Sequence, residues 1–135
     1  MDSINLRETS GVILAYLGDS VWEMYVREFF ILKGYNIRNL NKYVVSSVNA
    51  KTQSKILRDI LTNDDVDEKY KSLINRSKNG NIKTFPKSCS VTEYREATGF
   101  EAYIGALYID GNIEKIKEII NKNLNGEDRQ HGIIK

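Results

Sequence analysis

Proline occurs once in these 135 residues, at Pro86, and apolar side chains recur along most of the chain at intervals of three and four. That spacing places one apolar stripe on each helix, and the scarcity of proline leaves such helices uninterrupted. Val12, Tyr16, Leu17, Val21, Met24, Tyr25 and Phe29 predict a first helix up to Leu32, with Ser10 as its cap and Gly34 as its stop. Asn36 opens a second helix through Leu40, Tyr43 and Val44. A third spans about 49–61, with Ile56, Leu57, Ile60 and Leu61 on one side. A fourth is expected from Asn63 or Asp64, carrying Val66, Tyr70, Leu73 and Ile74 and ending at Gly80. The acids Asp64, Asp65, Asp67 and Glu68 suit the positive end of that helix. The stretch 79–88 (NGNIKTFPKS) is the clearest loop. Ser90 and Glu93 then have capping-box spacing ahead of a long apolar helix that ends near Gly111. Asn112 opens the last helix, with Ile113, Ile116, Ile119, Ile120 and Leu124 on its buried side. The expected architecture is all-α, six or seven helices in one domain over 1–125, followed by a polar tail, 126–135.

Composition removes several chemistries. Cys89 is alone, which excludes an internal disulfide and argues against a zinc site built on cysteine. His131 is the sole histidine and lies in a polar C-terminal stretch, so histidine-cluster and Ser-His hydrolases are out. There is no long apolar run and no leader-like N-terminus, which makes a soluble cytoplasmic protein the expectation.

The formal net charge of +2 conceals a strong segregation. Between Phe29 and Arg58 stand Lys33, Arg38, Lys42, Lys51, Lys55 and Arg58, with no acid among them. Between Lys69 and Thr92 stand Lys69, Lys71, Arg76, Lys78, Lys83 and Lys87, again with no acid. A single run of this kind is commonly a solvated face. Two in one small domain point to a polyanion surface, with nucleic acid the first candidate.

Two acids sit among apolar and small residues: Asp19 within LAYLGDSVW and Glu101 within ATGFEAYIGALY. Each is either a rim position or, for Asp19, a cap after Gly18. The alternative is a charge at the edge of a buried stripe, which needs a cation or a hydrogen-bonding partner. Ala15 and Gly18 beside Asp19, and Ala97, Thr98 and Gly105 beside Glu101, form two small-residue strips. Facing each other, these strips would leave a groove with the carboxylates near its floor.

The segment L-A-Y-L-G-D-S-V at 14–21 resembles the signature helix of the ribonuclease III family, and F-E-A-Y-I-G-A-L-Y-I-D at 100–110 is similar to that family's second acidic segment. With N-R-S-K-N-G-N-I-K-T-F-P-K at 75–87 and Y-R-E-A-T-G-F-E-A after it, the resemblance narrows to the Mini-ribonuclease III branch. That branch has the nuclease domain and no separate double-stranded-RNA-binding domain. The resemblance covers roughly Leu6 to Leu124.

It implies a homodimeric endonuclease domain in which Asp19 and Glu101 are the catalytic, metal-binding pair. The implied metal is Mg²⁺, with Mn²⁺ able to substitute. The implied substrate is double-stranded RNA, cut to 5′-phosphate and 3′-hydroxyl ends, in maturation of the 23S ribosomal RNA precursor. A ribosomal protein is a further candidate partner. Ordinary family members carry two more acids, at positions occupied here by Ala15 and Thr98, so a four-carboxylate cage is not available at the matching sites. Mg²⁺ keeps several waters and takes only one or two carboxylates plus substrate phosphates, so two acids suffice in principle.

Arg76, Lys78, Asn79, Lys83 and Lys87, in and around the loop, are the candidate RNA contacts; an ordinary solvated linker is the plainer reading. Trp22, Tyr25, Phe29 and Phe30 are candidates for a subunit face, although core packing accounts for them equally well. The rival function is a catalytically silent RNA-binding module on the same fold.

Overall fold

The structure, a computed structural model, describes residues 3–80 and 84–131, with side chains as far as 125. Those residues form six helices: α1 (Gly11–Leu32), α2 (Ile37–Val48), α3 (Ala50–Asn63), α4 (Glu68–Lys78), α5 (Val91–Ile109) and α6 (Ile113–His131). No strand occurs among them. The all-α expectation holds, at the lower of the two helix numbers. The backbone of α6 continues past residue 125.

Most helix boundaries follow from their caps. The Ser10 hydroxyl accepts from the Val12 N–H, Asn36 from the Asn39 N–H, and Ser90 and Glu93 exchange bonds in a complete capping box. Gly34 and Gly111 take positive φ at the ends of α1 and α5, where a side chain would be strained. One residue serves two helices. The Asn49 amide donates to the Val45 and Ser46 carbonyls that end α2, and its Oδ1 accepts from the Thr52 N–H that begins α3.

The fourth helix departs from its expected start. Asn63 and Asp64 finish α3, and α4 begins at Glu68 behind the Asp67 cap. Two tertiary contacts outweigh the local helix signal. Asp64 pairs with Lys115 of α6, and Val66 is buried in the linker. Only Asp67 and Glu68 therefore meet the positive end of α4.

The α5 helix is the hub, in contact with α1, α3, α4 and α6. It buries Ala97, Phe100, Ala102, Tyr103, Ile104, Ala106 and Leu107, an apolar set around more than one face, as a central helix requires. Trp22 of α1 is fully buried edge-on to Phe100, with ring centroids 4.8 Å apart. Its indole N–H is satisfied by the Ser47 carbonyl at 3.0 Å. Phe30 stacks on Tyr43 at 5.4 Å, beside Tyr35. Trp22 and Phe30 are thus core residues, and Tyr25 and Phe29 pack partly buried against that core. Other apolar side chains of α1, among them Ile13, Tyr16, Met24, Ile31 and Leu32, are exposed.

Across α3 and α5, Arg58 donates from Nε and Nη2 to both oxygens of buried Glu96, and the Ser54 hydroxyl donates to Oε1 at 2.9 Å. These bonds hold the Glu96 carboxyl below the usual carboxylate range.

Candidate active site

The helices α1 and α5 meet backbone to backbone. A Cβ on Gly18 would lie 1.7 Å from the Glu101 carbonyl oxygen and 2.9 Å from the Gly105 nitrogen. A Cβ on Gly105 would lie 2.3 Å from the Leu14 carbonyl oxygen. Glycine at both positions is what permits the approach. The small-residue strips do face each other, but they close up instead of leaving the expected groove, and Ala15 and Ala97 are buried.

This contact sets Asp19, on the turn after Gly18, beside Glu101. Asp19 is exposed, whereas Glu101 is mostly buried. The Glu101 carboxyl is pushed up to about 9, first by burial, then by its hydrogen bond to Asp19 and by the Asp19 charge. At neutral pH Glu101 therefore keeps its proton and donates it toward Asp19. A proton held between two carboxylates occupies the electrostatic role a cation would fill.

The donor set fits one magnesium in this sense: hard oxygen ligands and an open solvent side at Asp19. No group of three or more His, Cys, Asp or Glu able to hold a metal occurs among the described residues. At the two positions where the resemblance to ordinary family members led to the expectation of acids, Ala15 is buried and Thr98 donates its hydroxyl to the Tyr94 carbonyl at 3.0 Å. Any metal here would take most of its ligands from water and substrate.

The expected RNA contacts divide. Asn79 and Lys87 are exposed, on the C-cap of α4 and in the loop. Lys83 lies outside the described residues. Lys78 runs its stem across Gly99 of α5 and puts its charge near Glu96. Arg76 turns elsewhere, its Nη2 donating to the Leu6 and Thr9 carbonyls of the N-terminal segment.

Arg95 belongs to neither basic run of the sequence. Its Nη1 donates to the Lys78 carbonyl at 3.2 Å, which ties the start of the 79–88 loop to α5. The signal was the spacing: Arg95, Thr98 and Glu101 step by three along one face.

A second cationic surface lies on α2 and α3. Arg38, Lys42, Lys51 and Lys55 are exposed, and none of them is in an ion pair among the described residues. Arg38 and Lys42, like Lys51 and Lys55, are four residues apart, so each pair shares a helix face.

The family model for the ribonuclease III domain matches residues 13–112. A Mini-ribonuclease 3-like protein of Ilyobacter polytropus is 53% identical over 124 residues, covering 92% of this chain and 96% of that protein. The Mini-ribonuclease 3 of Enterococcus faecalis is 33% identical over 116 residues, covering 85% of this chain and 88% of that protein. A crystal structure of a Fusobacterium nucleatum protein superposes with a TM-score of 0.83 at 50% identity, covering 93% of this chain and 99% of that one. No helix among the described residues is long and apolar enough to cross a membrane. The chain belongs to the ribonuclease III family of double-stranded-RNA endoribonucleases, in its Mini-ribonuclease III branch.

Proposed function

We propose that this chain is a Mg²⁺-dependent endoribonuclease that cuts double-stranded RNA to 5′-phosphate and 3′-hydroxyl ends, with Asp19 and Glu101 as the metal-holding catalytic pair. The observation that carries the reading is their juxtaposition: two acids 82 positions apart in sequence come within hydrogen-bonding reach of each other across the α1–α5 contact. The magnesium, when bound, supplies the positive charge that activates a water and offsets charge on the phosphoryl oxygens.

The chain's own residues prepare that chemistry. Gly18 and Gly105 fix the spacing of the two helices, so the carboxylates need no reorganisation when substrate arrives. Glu101 would have to release its proton to solvent to act as a metal ligand, and Asp19 faces the solvent side from which RNA approaches. Arg95 steadies the end of α4, where Asn79 stands exposed at the start of the loop. Loop cations and the α2–α3 surface grip phosphates in a shape-read, sequence-tolerant manner, since the deep major groove of A-form RNA hides its base edges.

Cutting both strands in one encounter needs two such sites about a two-fold axis, and the exposed apolar side chains of α1 suit a homodimer. The substrate within this reading is the 23S ribosomal RNA precursor in the cytoplasm, with a ribosomal protein as a further partner.

The decisive experiment incubates the protein with structured precursor RNA, with Mg²⁺, with Mn²⁺ and with EDTA, and maps the new ends. Cleavage that EDTA stops, and that Asp19→Asn abolishes while duplex binding persists, is the expected result. Binding without cleavage at any Mg²⁺ or Mn²⁺ concentration would establish the rival, a silent RNA-binding module. Ala15 and Thr98, in place of two acids, are what favour that rival.

A further inference from the structure

A cleft of about 630 Å³ opens between the N-terminal segment and the outer face of α4, lined by Asn5, Leu6, Arg7, Glu68, Lys69, Ser72 and Arg76. It lies off the first turn of α1, and α1 then runs roughly 12 Å from Gly11 to Asp19 at its ordinary rise per residue. The carboxylate pair contributes nothing to its lining.

We infer that this cleft holds a phosphate group, and that its charge selects a phosphodiester of the RNA strand outside the cutting site. The choice of strand rests on the duplex-RNA reading above; the site itself does not.

Arg76 is the anchor. Its Nη2 donates to two neutral carbonyls, which fix the guanidinium in place without cancelling its charge. Among the described residues Nε and Nη1 have no protein acceptor, so part of the donor fork stays available. Arg7 is exposed and in no ion pair among the described residues. Its backbone N–H is bound by Asn5 Oδ1 at 2.9 Å, which fixes the turn that presents its side chain. Ser72 adds an exposed hydroxyl.

The opposing charges are few. Lys69 is committed to Asp110 at 3.1 Å, and Glu68 offsets one guanidinium. One positive charge remains, which matches the single charge of a phosphodiester better than the near-double charge of a phosphate monoester.

The test uses the full chain, isotope-labelled for amide spectra, in EDTA so that RNA stays intact. Inorganic phosphate should shift the amides of residues 5–7, 72 and 76 at millimolar concentration, and a duplex RNA should shift the same amides at far lower concentration. Arg7→Gln should weaken duplex binding about fivefold and lower the slope of log affinity against log salt by about one. Ser72→Ala should weaken it less. Lys117→Gln, the same charge change on the exposed face of α6, should do neither.

Equal effects of Arg7→Gln and Lys117→Gln, with no shifts from phosphate, would overturn the site. Shifts from phosphate with none from a duplex that does bind would overturn the strand assignment alone. A wild-type chain that binds no duplex, yet responds to phosphate at these amides, would sink the nuclease reading and leave the site standing.

Discussion

Substituting alanine for Gly18 sets two effects of opposite sign against each other. In a helix interior, glycine to alanine ordinarily gains about 1 kcal/mol. Here the new Cβ would arrive 1.7 Å from the Glu101 carbonyl oxygen and 2.6 Å from its carbon. An ordinary contact lies near 3.5 Å, so α1 and α5 must part by roughly 1.5 Å or more. Forcing extra volume into a packed contact costs about 1–3 kcal/mol, at the upper end where the obstacle is backbone and not a flexible side chain.

The expected balance for Gly18→Ala is a loss of about 1–2 kcal/mol, a fall in Tm of roughly 4–10 °C for a chain of this size. The displaced atoms belong to Glu101 itself, so cleavage should fall on the order of 100-fold even at a temperature where the variant is fully folded. Thermal melts followed by circular dichroism, and single-turnover cleavage of a labelled duplex, read the two effects separately. Gly80→Ala is the control for stability, because the nearest atom to its Cβ would be 3.7 Å away. If Gly18→Ala melts at or above wild type and cuts at the wild-type rate, the backbone contact is not what positions the carboxylates.

Further outcomes follow from the same contacts. In metal-free buffer, Glu101 has its pKa raised to about 9, so its contribution to stability is complete below about 4.5 and is lost as pH climbs toward 9; Tm measured across that window should fall, and Asp19→Asn should flatten the fall. Because Glu101 must release its proton to bind a cation, Mg²⁺ affinity should rise with pH up to about 9, and calorimetry in buffers of different ionisation heat should report close to one proton released. Glu96 has the opposite sign, its stabilisation being present above its ordinary acid range and lost as pH falls; Glu96→Gln should blunt acid unfolding at low pH. Tyr70→Phe removes a 2.6 Å bond to Asp110 and should cost about 0.5–1.5 kcal/mol in urea melts with cleavage unaltered.

The caps at Ser10, Asn36 and Ser90 were legible because capping is local chemistry, decided within four residues of the helix end. The start of α4 was not, because Asp64 answers to Lys115, which stands 51 positions away. The two acids could be singled out from their apolar surroundings, and their pairing from the two motifs together. Which of them is buried follows only from the crossing of α1 on α5. Trp22 and Phe30 illustrate a further limit: periodicity shows that a helix has an apolar face, not whether that face meets the core or a second subunit. Arg76 read as a loop cation because its sequence neighbours are basic, yet its partners lie near the N-terminus, out of reach of any local pattern.

Asn49 joins α2 to α3 with a single side chain, its NH₂ serving one helix and its oxygen the other. Aspartate there would keep the acceptor and turn a second oxygen against the Val45 and Ser46 carbonyls. Asn49→Asp would therefore leave the start of α3 capped while loosening the end of α2. One side-chain atom thus separates two joined helices from one helix pulling away at the corner between them.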